Sequence, residues 1–310
     1  STTGGTLHRQ QISGLTNGTY NYYVRCIDST GNANTNDFII SFSVAAGADF
    51  ATRCAQPEVV RCFGFDNIAD FNNGGGGPGG AYGDPYGILP PFGTTDFTKS
   101  GQDTAVKASG VGSLRFTIPS NSGSDSSGSW FTNFADDASV QFSQGEEFYV
   151  QWRQRFSPEF LNTYYLIEGG RCGGWKQAII GQGDRAGCFT GNAGECASSC
   201  TNLEIVTQNT CQRGYPQMYH SCGAKDGTYE PLNQPFPPID FKNQNAMPSP
   251  YCLYSDSTGC FKYNASQWMT FQVHVKIGTP YQSTGNYMHD STIELWIAEE
   301  GKPSQLVLSY

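Results

Sequence analysis

The sequence predicts an all-β protein, and three observations carry that expectation. Gly 38 with abundant Ser, Thr and Asn supplies turns in quantity. Aromatic residues make up 14% of the chain and charged residues only 15%, which favours pleated, half-buried surfaces over solvated helices. Most apolar runs are short, alternate with polar residues and end at turn signals, the two-residue period of a strand.

At 310 residues the chain can bury a sizeable core, and it reads as one large domain preceded by a smaller piece. The first 46 residues predict strand, turn, strand, turn, strand: TLHRQQISGL, TYNYYVRCID and DFIISFSV, separated by TNG and STGNANTN. Three strands are too few to close a sandwich. Residues 47–62, AGADFATRCAQPEVVRC from 46 onward, read as a linker tightened by a small disulfide loop. The large domain then runs over 63–310. Its glycine-rich run GGGGPGGAYGDPYG (74–87) lacks the Gly-Lys-Ser/Thr and following helix of a phosphate loop, so a surface loop is expected.

The 11 cysteines lack paired C-x-x-C spacings, and the nearest approach, CASSC at 196–200, has no histidine to complement it. Disulfides are the expected state, which places the protein outside the cytoplasm, extracellular or periplasmic. Local pairing candidates are Cys54 with Cys62, Cys211 with Cys222 and Cys252 with Cys260. Cys26 is left as the odd one. No apolar run is long enough to span a bilayer as a helix, so membrane insertion is not expected. A formal charge of −9 with no basic run disfavours nucleic acid as a partner.

The large domain offers a series of strand candidates: GSLRFTIP, EEFYVQWRQRF, WKQAIIG, NLEIVTQN, WMTFQVHVKIG, STIELWIAEE and QLVLSY. Amphipathic strands of this number suit two packed sheets, each with one face in the core and one outside. In EEFYVQWRQRF, Phe148, Val150 and Trp152 alternate with Tyr149, Gln151, Arg153 and Arg155. In WMTFQVHVKIG, Phe271, Val273 and Val275 alternate with Gln272, His274 and Lys276. WKQAIIG presents Lys176 or Gln177 according to register, and NLEIVTQN presents Glu204 and Gln208. If these strands are neighbours, one face carries a band of planar polar and cationic side chains suited to gripping a polysaccharide. Tyr149, Trp175, Tyr219 and Trp296 are the rings available to stack on sugars.

Two resemblances sharpen these expectations. SGLTNGTYNYYVRCIDSTGN resembles the C-terminal half of a fibronectin type III-like domain, which implies a partial domain whose open strand edges could associate with another chain. GEEFYVQWRQRFSP, GGWKQAIIG, NLEIVTQN, WMTFQVHVKIG and DSTIELWIAEEG, in that order, resemble the strand series of concanavalin A-like jelly rolls, and within them polysaccharide lyases. That likeness implies an all-β jelly-roll sandwich acting on a uronic-acid polymer by β-elimination. The chemistry needs a group to neutralise the substrate carboxylate, a base for the C5 proton and an acid for the leaving oxygen.

The resemblance implies Arg153 or Arg155, with Gln177, as neutralisers, His220 or His274 as base and Tyr219 as base or acid. Tyr149, Gln151, Arg153, Lys176, Glu204, Gln208, Gln272 and Lys276 would line the chain-binding surface. The R-x-E-L-R, Q-I-H and Y-x-K-A-G-x-Y motifs of the alginate-lyase branch do not occur. Neither does the E-x-D-x-x-E spacing of a glycosidase of this fold, nor a G-x-S-x-G nucleophile. A carbohydrate-binding or adhesive module without catalysis, or a structural subunit, is the alternative. No cofactor is required for elimination and no metal-binding motif occurs, although the Asp-rich turns DFNN, FADDAS and SDSTG carry oxygen donors for a structural calcium ion.

Overall fold

The computed structural model describes residues 12, 18–28, 30–44, 50–72, 86–91, 93–123, 126–132, 134, 140, 142, 144–163, 166–167, 171–172, 174–181, 204–209, 213–221, 240–243, 260–278 and 291–309. For 43–44, 166–167, 171–172, 204, 219–221 and 240–243 it describes the backbone alone. The protein is all-β. It divides into two compact units, Ser1–Gly64 and Phe65–Tyr310.

In the first unit, β1 (Gly18–Val24) and β2 (Phe38–Val44) form an antiparallel hairpin with Gly18 opposite Val44. The expected strand over TLHRQQISGL lies outside the described residues, Ile12 apart. Asp28 closes the connecting turn by accepting hydrogen bonds from the Thr30 and Asn32 amides and side chains, and these bonds hold its carboxyl far below the usual range. Cys26 is a free, exposed thiol. Downstream, the short helix α1 (Phe50–Cys54) ends at a disulfide between Cys54 and Cys62, Cα atoms 5.7 Å apart. Cys260 in the second unit is also disulfide-bonded, while the CASSC run and Cys211 and Cys222 lie outside the described residues.

The second unit contains β3 (Tyr86–Leu89), β4 (Ser100–Asp103), β5 (Ser113–Phe116), β6 (Ser129–Thr132), β7 (Glu147–Arg155), β8 (Leu166–Ile167), β9 (Arg171–Cys172) and β10 (Lys176–Gly181). It continues with β11 (Glu204–Asn209), β12 (Pro216–Ser221), β13 (Asp240–Asn243), β14 (Trp268–Lys276), β15 (Thr292–Glu299) and β16 (Gln305–Ser309). A one-turn helix, α2 (Pro158–Leu161), follows β7, its first turn capped where the Ser157 hydroxyl accepts from the Phe160 amide. Two four-stranded antiparallel sheets dominate, in the orders β10-β11-β12-β13 and β16-β15-β14-β7. Smaller pairs are β3 with β6, β4 with β5 and β8 with β9. Tyr86 and Gly87, at the end of the expected glycine-rich loop, belong to β3.

The core lies between the two large sheets. One side is Met269, Phe271, Val273 and Val275 of β14 with Ile293, Leu295 and Ile297 of β15 and Leu308 of β16. The other is Ile205 of β11 and Met218 of β12, with Ile180 of β10 packed against them. Each strand contributes every second residue, so the apolar rows read from the sequence are the rows that pack. Trp152 stacks on Phe271 at 5.4 Å, and Phe156 stacks on Tyr263 at 4.8 Å. Burying these rings and aliphatic chains removes their area from water, the main favourable term in holding the sheets together.

Candidate functional site

The pairing of strands decides which polar side chains meet. β7 and β14 are direct neighbours, in the register Tyr149 to His274, Gln151 to Gln272, Arg153 to Thr270 and Arg155 to Trp268. β15 lies on the other side of β14 and places Glu294 opposite His274 and Trp296 opposite Gln272. Lys176, Gln177, Glu204 and Gln208 sit in the other sheet. The single band expected from the sequence therefore does not form, because alternation specifies a strand's face but not its sheet.

On the outer face of β7, β14 and β15, the polar groups engage one another. His274 lies between two carboxylates, with Nε2 2.9 Å from Glu147 and Nδ1 3.1 Å from Glu294. Glu294 also accepts from the Trp296 indole at 3.0 Å. The Tyr149 ring lies parallel to the imidazole, centroids 4.4 Å apart and planes 6° from coincidence. Burial, then the Glu147 and Glu294 charges, push the Tyr149 phenol up from its ordinary value and hold it protonated. Gln151 donates to Gln272 at 3.0 Å. Arg153 pairs with Glu300 at 2.8 Å and lies over the Trp268 ring, and Arg155 donates to the Ser266 carbonyl at 3.0 Å. Lys276, the register partner of Glu147, is exposed.

This arrangement is poorly suited to removing a substrate proton. A general base needs a lone pair that can reach the substrate, and a carboxylate faces each nitrogen of His274.

Gln177 turns the other way. A bulge between Lys176 and Ala178 shifts the register of β10 against β11, and bulges re-aim the side chains beside them. The Gln177 amide nitrogen donates to Gln154 at 3.0 Å, and its oxygen accepts from the Tyr263 hydroxyl at 2.8 Å. Gln154 alternates with Arg153 and Arg155 on β7, so Gln177 is on the inner face and not beside the arginines. Tyr263 is fully buried there, and burial raises its pKa well above that of a free phenol. Trp175 is inward too, packed edge-on against Phe160 and Phe116.

The second sheet gathers a different set. Lys176, Gln208 and Gln217 are successive register partners across β10, β11 and β12, and Val206 pairs with Tyr219 two residues along. Glu204 occupies the same-face position beyond Val206, paired with Ser221. This set alternates with Ile205 and Met218, which face the core, so its positions belong to the opposite face. His220 takes the position paired with Ile205 in the core-side set. The side chains of Glu204, Tyr219 and His220 lie outside the described part of the structure.

Gln208 and Gln217 are nevertheless buried, and Gln208 donates its amide to Gln217. Part of the cover is chain backbone passing at close range: a Cβ on Gly174 would stand 2.7 Å from the Gln208 side-chain carbonyl carbon and 2.5 Å from the Asn209 carbonyl oxygen. The segment is pinned there by reciprocal bonds, Trp175 amide to the Asn209 side chain at 2.7 Å and Asn209 amide to the Trp175 carbonyl at 3.1 Å. At the hairpin end, the buried Arg213 takes a left-handed backbone conformation, φ 60°, donates to Asn209 at 3.3 Å and lies over the Phe160 ring. The sequence singled out neither Gln217 nor Arg213. The alternation of GYPQMYHS, read as a strand, was the available signal for Gln217.

Among the described residues, no group of three or more His, Cys, Asp or Glu side chains is placed to hold a metal ion. The turns FADDAS beyond Phe134 and SDSTG lie outside the described residues. In DFNN, Asp70 has its pKa raised, first by burial. No helix among the described residues is long and apolar enough to cross a membrane.

No family model and no curated protein matches the chain. Among solved structures it is similar to the marine PL-14 alginate lyase from Aplysia kurodai, at 12% identity over 74% of each chain with a TM-score of 0.42.

Proposed function

We propose that the chain is a secreted, polysaccharide lyase-like protein that binds a uronic-acid polysaccharide over the outer face of the β10–β13 sheet and cleaves it by β-elimination. The observation that supports this reading is the register row Lys176, Gln208 and Gln217, with Tyr219 at the adjacent same-face position. It brings a lysine and two glutamines to one row, with a tyrosine at the neighbouring strand position. A sheet face turned away from the core ordinarily carries solvated side chains, whereas Gln208 and Gln217 are buried there and bonded to each other, which fixes the orientation of both amides.

In the proposed reaction, Lys176 and the glutamine amides hold the uronate carboxylate and lower the acidity barrier at C5. Tyr219, as phenolate, takes the C5 proton. The electron pair becomes the C4–C5 double bond as the C4–O bond breaks, and the departing oxygen takes up a proton, returned by Tyr219 or supplied by water. Glu204 lies at the end of the row, where it would meet hydroxyls of the chain. Arg155, Gln177, His220 and His274 have no part in this scheme, since their strand positions or partners lie away from the row.

Mass spectrometry of the products tests the reaction type. Elimination produces two fragments whose masses sum to that of the parent chain, whereas hydrolysis adds one water. Products carrying that water, or none from any polyuronate, would refute the proposal. A non-catalytic carbohydrate-binding module is the reading favoured by the net charge of −9, since an acidic enzyme attracts an acidic polymer weakly. Retained binding without cleavage would establish it.

A further inference from the structure

The outer face of β7, β14 and β15 stands apart from the proposed elimination site, in the other sheet, and its geometry points to a second ligand surface. We infer that it is a platform for a neutral, non-uronic glycan, with Tyr149 as the stacking ring. Tyr149 is 55% exposed, although its ring lies parallel to the His274 imidazole. That imidazole is fixed by carboxylates on both sides, Glu147 from β7 and Glu294 from β15. An aromatic ring with one face held against a clamped neighbour and much of its surface open has little rotamer entropy left to lose on binding. Such rings stack on the apolar face of a pyranose.

The groups beside the ring suit hydroxyls. The Gln151–Gln272 amide pair occupies the next same-face position, about 7 Å along the strands at the usual rise of a strand. Beyond it stands Arg153, already paired with Glu300. Planar amides offer both a donor and an acceptor, the complement of a hydroxyl group.

Charge selects the class of glycan. Arg153 is neutralised by Glu300, two carboxylates flank the one imidazole, and the raised pKa of Tyr149 keeps it an O–H donor. Glu147 and Glu294 outnumber the cation beside them, the exposed Lys276 that is the register partner of Glu147, so a uronate at Tyr149 meets more like charge than opposite, a repulsion that a neutral chain does not suffer. The platform is independent of the proposed elimination chemistry, and each stands or falls on its own test.

Native affinity electrophoresis of the full chain through gels containing barley β-glucan, xylan, galactomannan or alginate tests the inference. At least one neutral glycan should retard the wild type. Tyr149→Ala should weaken that retardation by about two- to tenfold, as expected for loss of a stacking ring, while Tyr149→Phe should keep most of it. Thermal unfolding of each variant separates lost binding from lost folding, and Gln151→Ala provides a second probe that leaves the aromatic pair in place. Mobility unaffected by every neutral glycan, or Tyr149→Ala binding as tightly as wild type while folded, would overturn the inference. Retardation by alginate alone, lost in Tyr149→Ala, would overturn its assignment to neutral glycans.

Discussion

Replacing His274 with alanine separates a structural imidazole from a catalytic one. The side chain is 13% exposed and bridges Glu147, 51% exposed, to Glu294, 16% exposed. The contact with the shielded Glu294 is a hydrogen bond to a charged group, about 1.5–3 kcal/mol. The contact with the half-exposed Glu147 is closer to a surface pair, about 0.2–1 kcal/mol. Glu294 keeps its Trp296 donor, which limits the loss, and the deletion should cost about 2–3 kcal/mol in all. For a domain of this size that lowers Tm by about 4–12 °C. Thermal unfolding followed by circular dichroism, together with turnover on a polyuronate well below the melting range, gives both readings at once. Tm should fall while turnover stays within about twofold of wild type. An unchanged Tm with turnover abolished would make His274 part of the mechanism and rule out a purely structural role.

Three further outcomes follow from the same geometry. Gly174→Ala should displace the Gln208 amide that fills the space of the new methyl, with a stability cost of about 1–3 kcal/mol and a larger fall in turnover than His274→Ala; denaturant titration and initial rates check both. Leu295→Ala, at a core position with no exposure, should cost about 2–5 kcal/mol, read as a lowered midpoint in urea. Tyr263 contributes a pH dependence: its folded pKa is raised and its unfolded pKa is about 10, so its contribution is complete below about pH 10 and is lost as pH rises beyond it. Tyr263→Phe should remove that alkaline loss while costing about 1–3 kcal/mol near neutrality, because Gln177 loses its donor; unfolding midpoints across an alkaline pH series compare the two proteins.

Much of the fold was legible as alternation. EEFYVQWRQRF, WMTFQVHVKIG and STIELWIAEE each display one apolar row and one polar row; β14 and β15 bury the rows so marked, and β7 half-buries its own. The assignment of strands to sheets was not legible, because a period of two records which residues share a face and nothing about the neighbour. Hence Arg153 and His274 do meet on one face, while Lys176 and Gln208, with equally suitable chemistry, belong to the other sheet. Gln177 was misplaced for a local reason: a bulge adds a residue to one strand and breaks the alternation that would have placed it. Short strands such as β3, β4 and β6 carry only four residues each, too few to establish a period. The buried Gln208–Gln217 pair escaped notice since Gln217 is recognisable only after its register with Gln208 is known.

The most direct test of the proposed function is the ultraviolet absorbance of unsaturated uronate during incubation with alginate, glucuronan and heparan-type polymers, for the wild type and for Tyr219→Phe and Lys176→Ala. The signal should rise on at least one polymer for the wild type and fall by at least about a hundredfold in Tyr219→Phe, as expected when the proton-transfer group is removed. A folded wild type that produces no absorbance on any polyuronate, or a Tyr219→Phe variant as active as wild type, would contradict the proposed function.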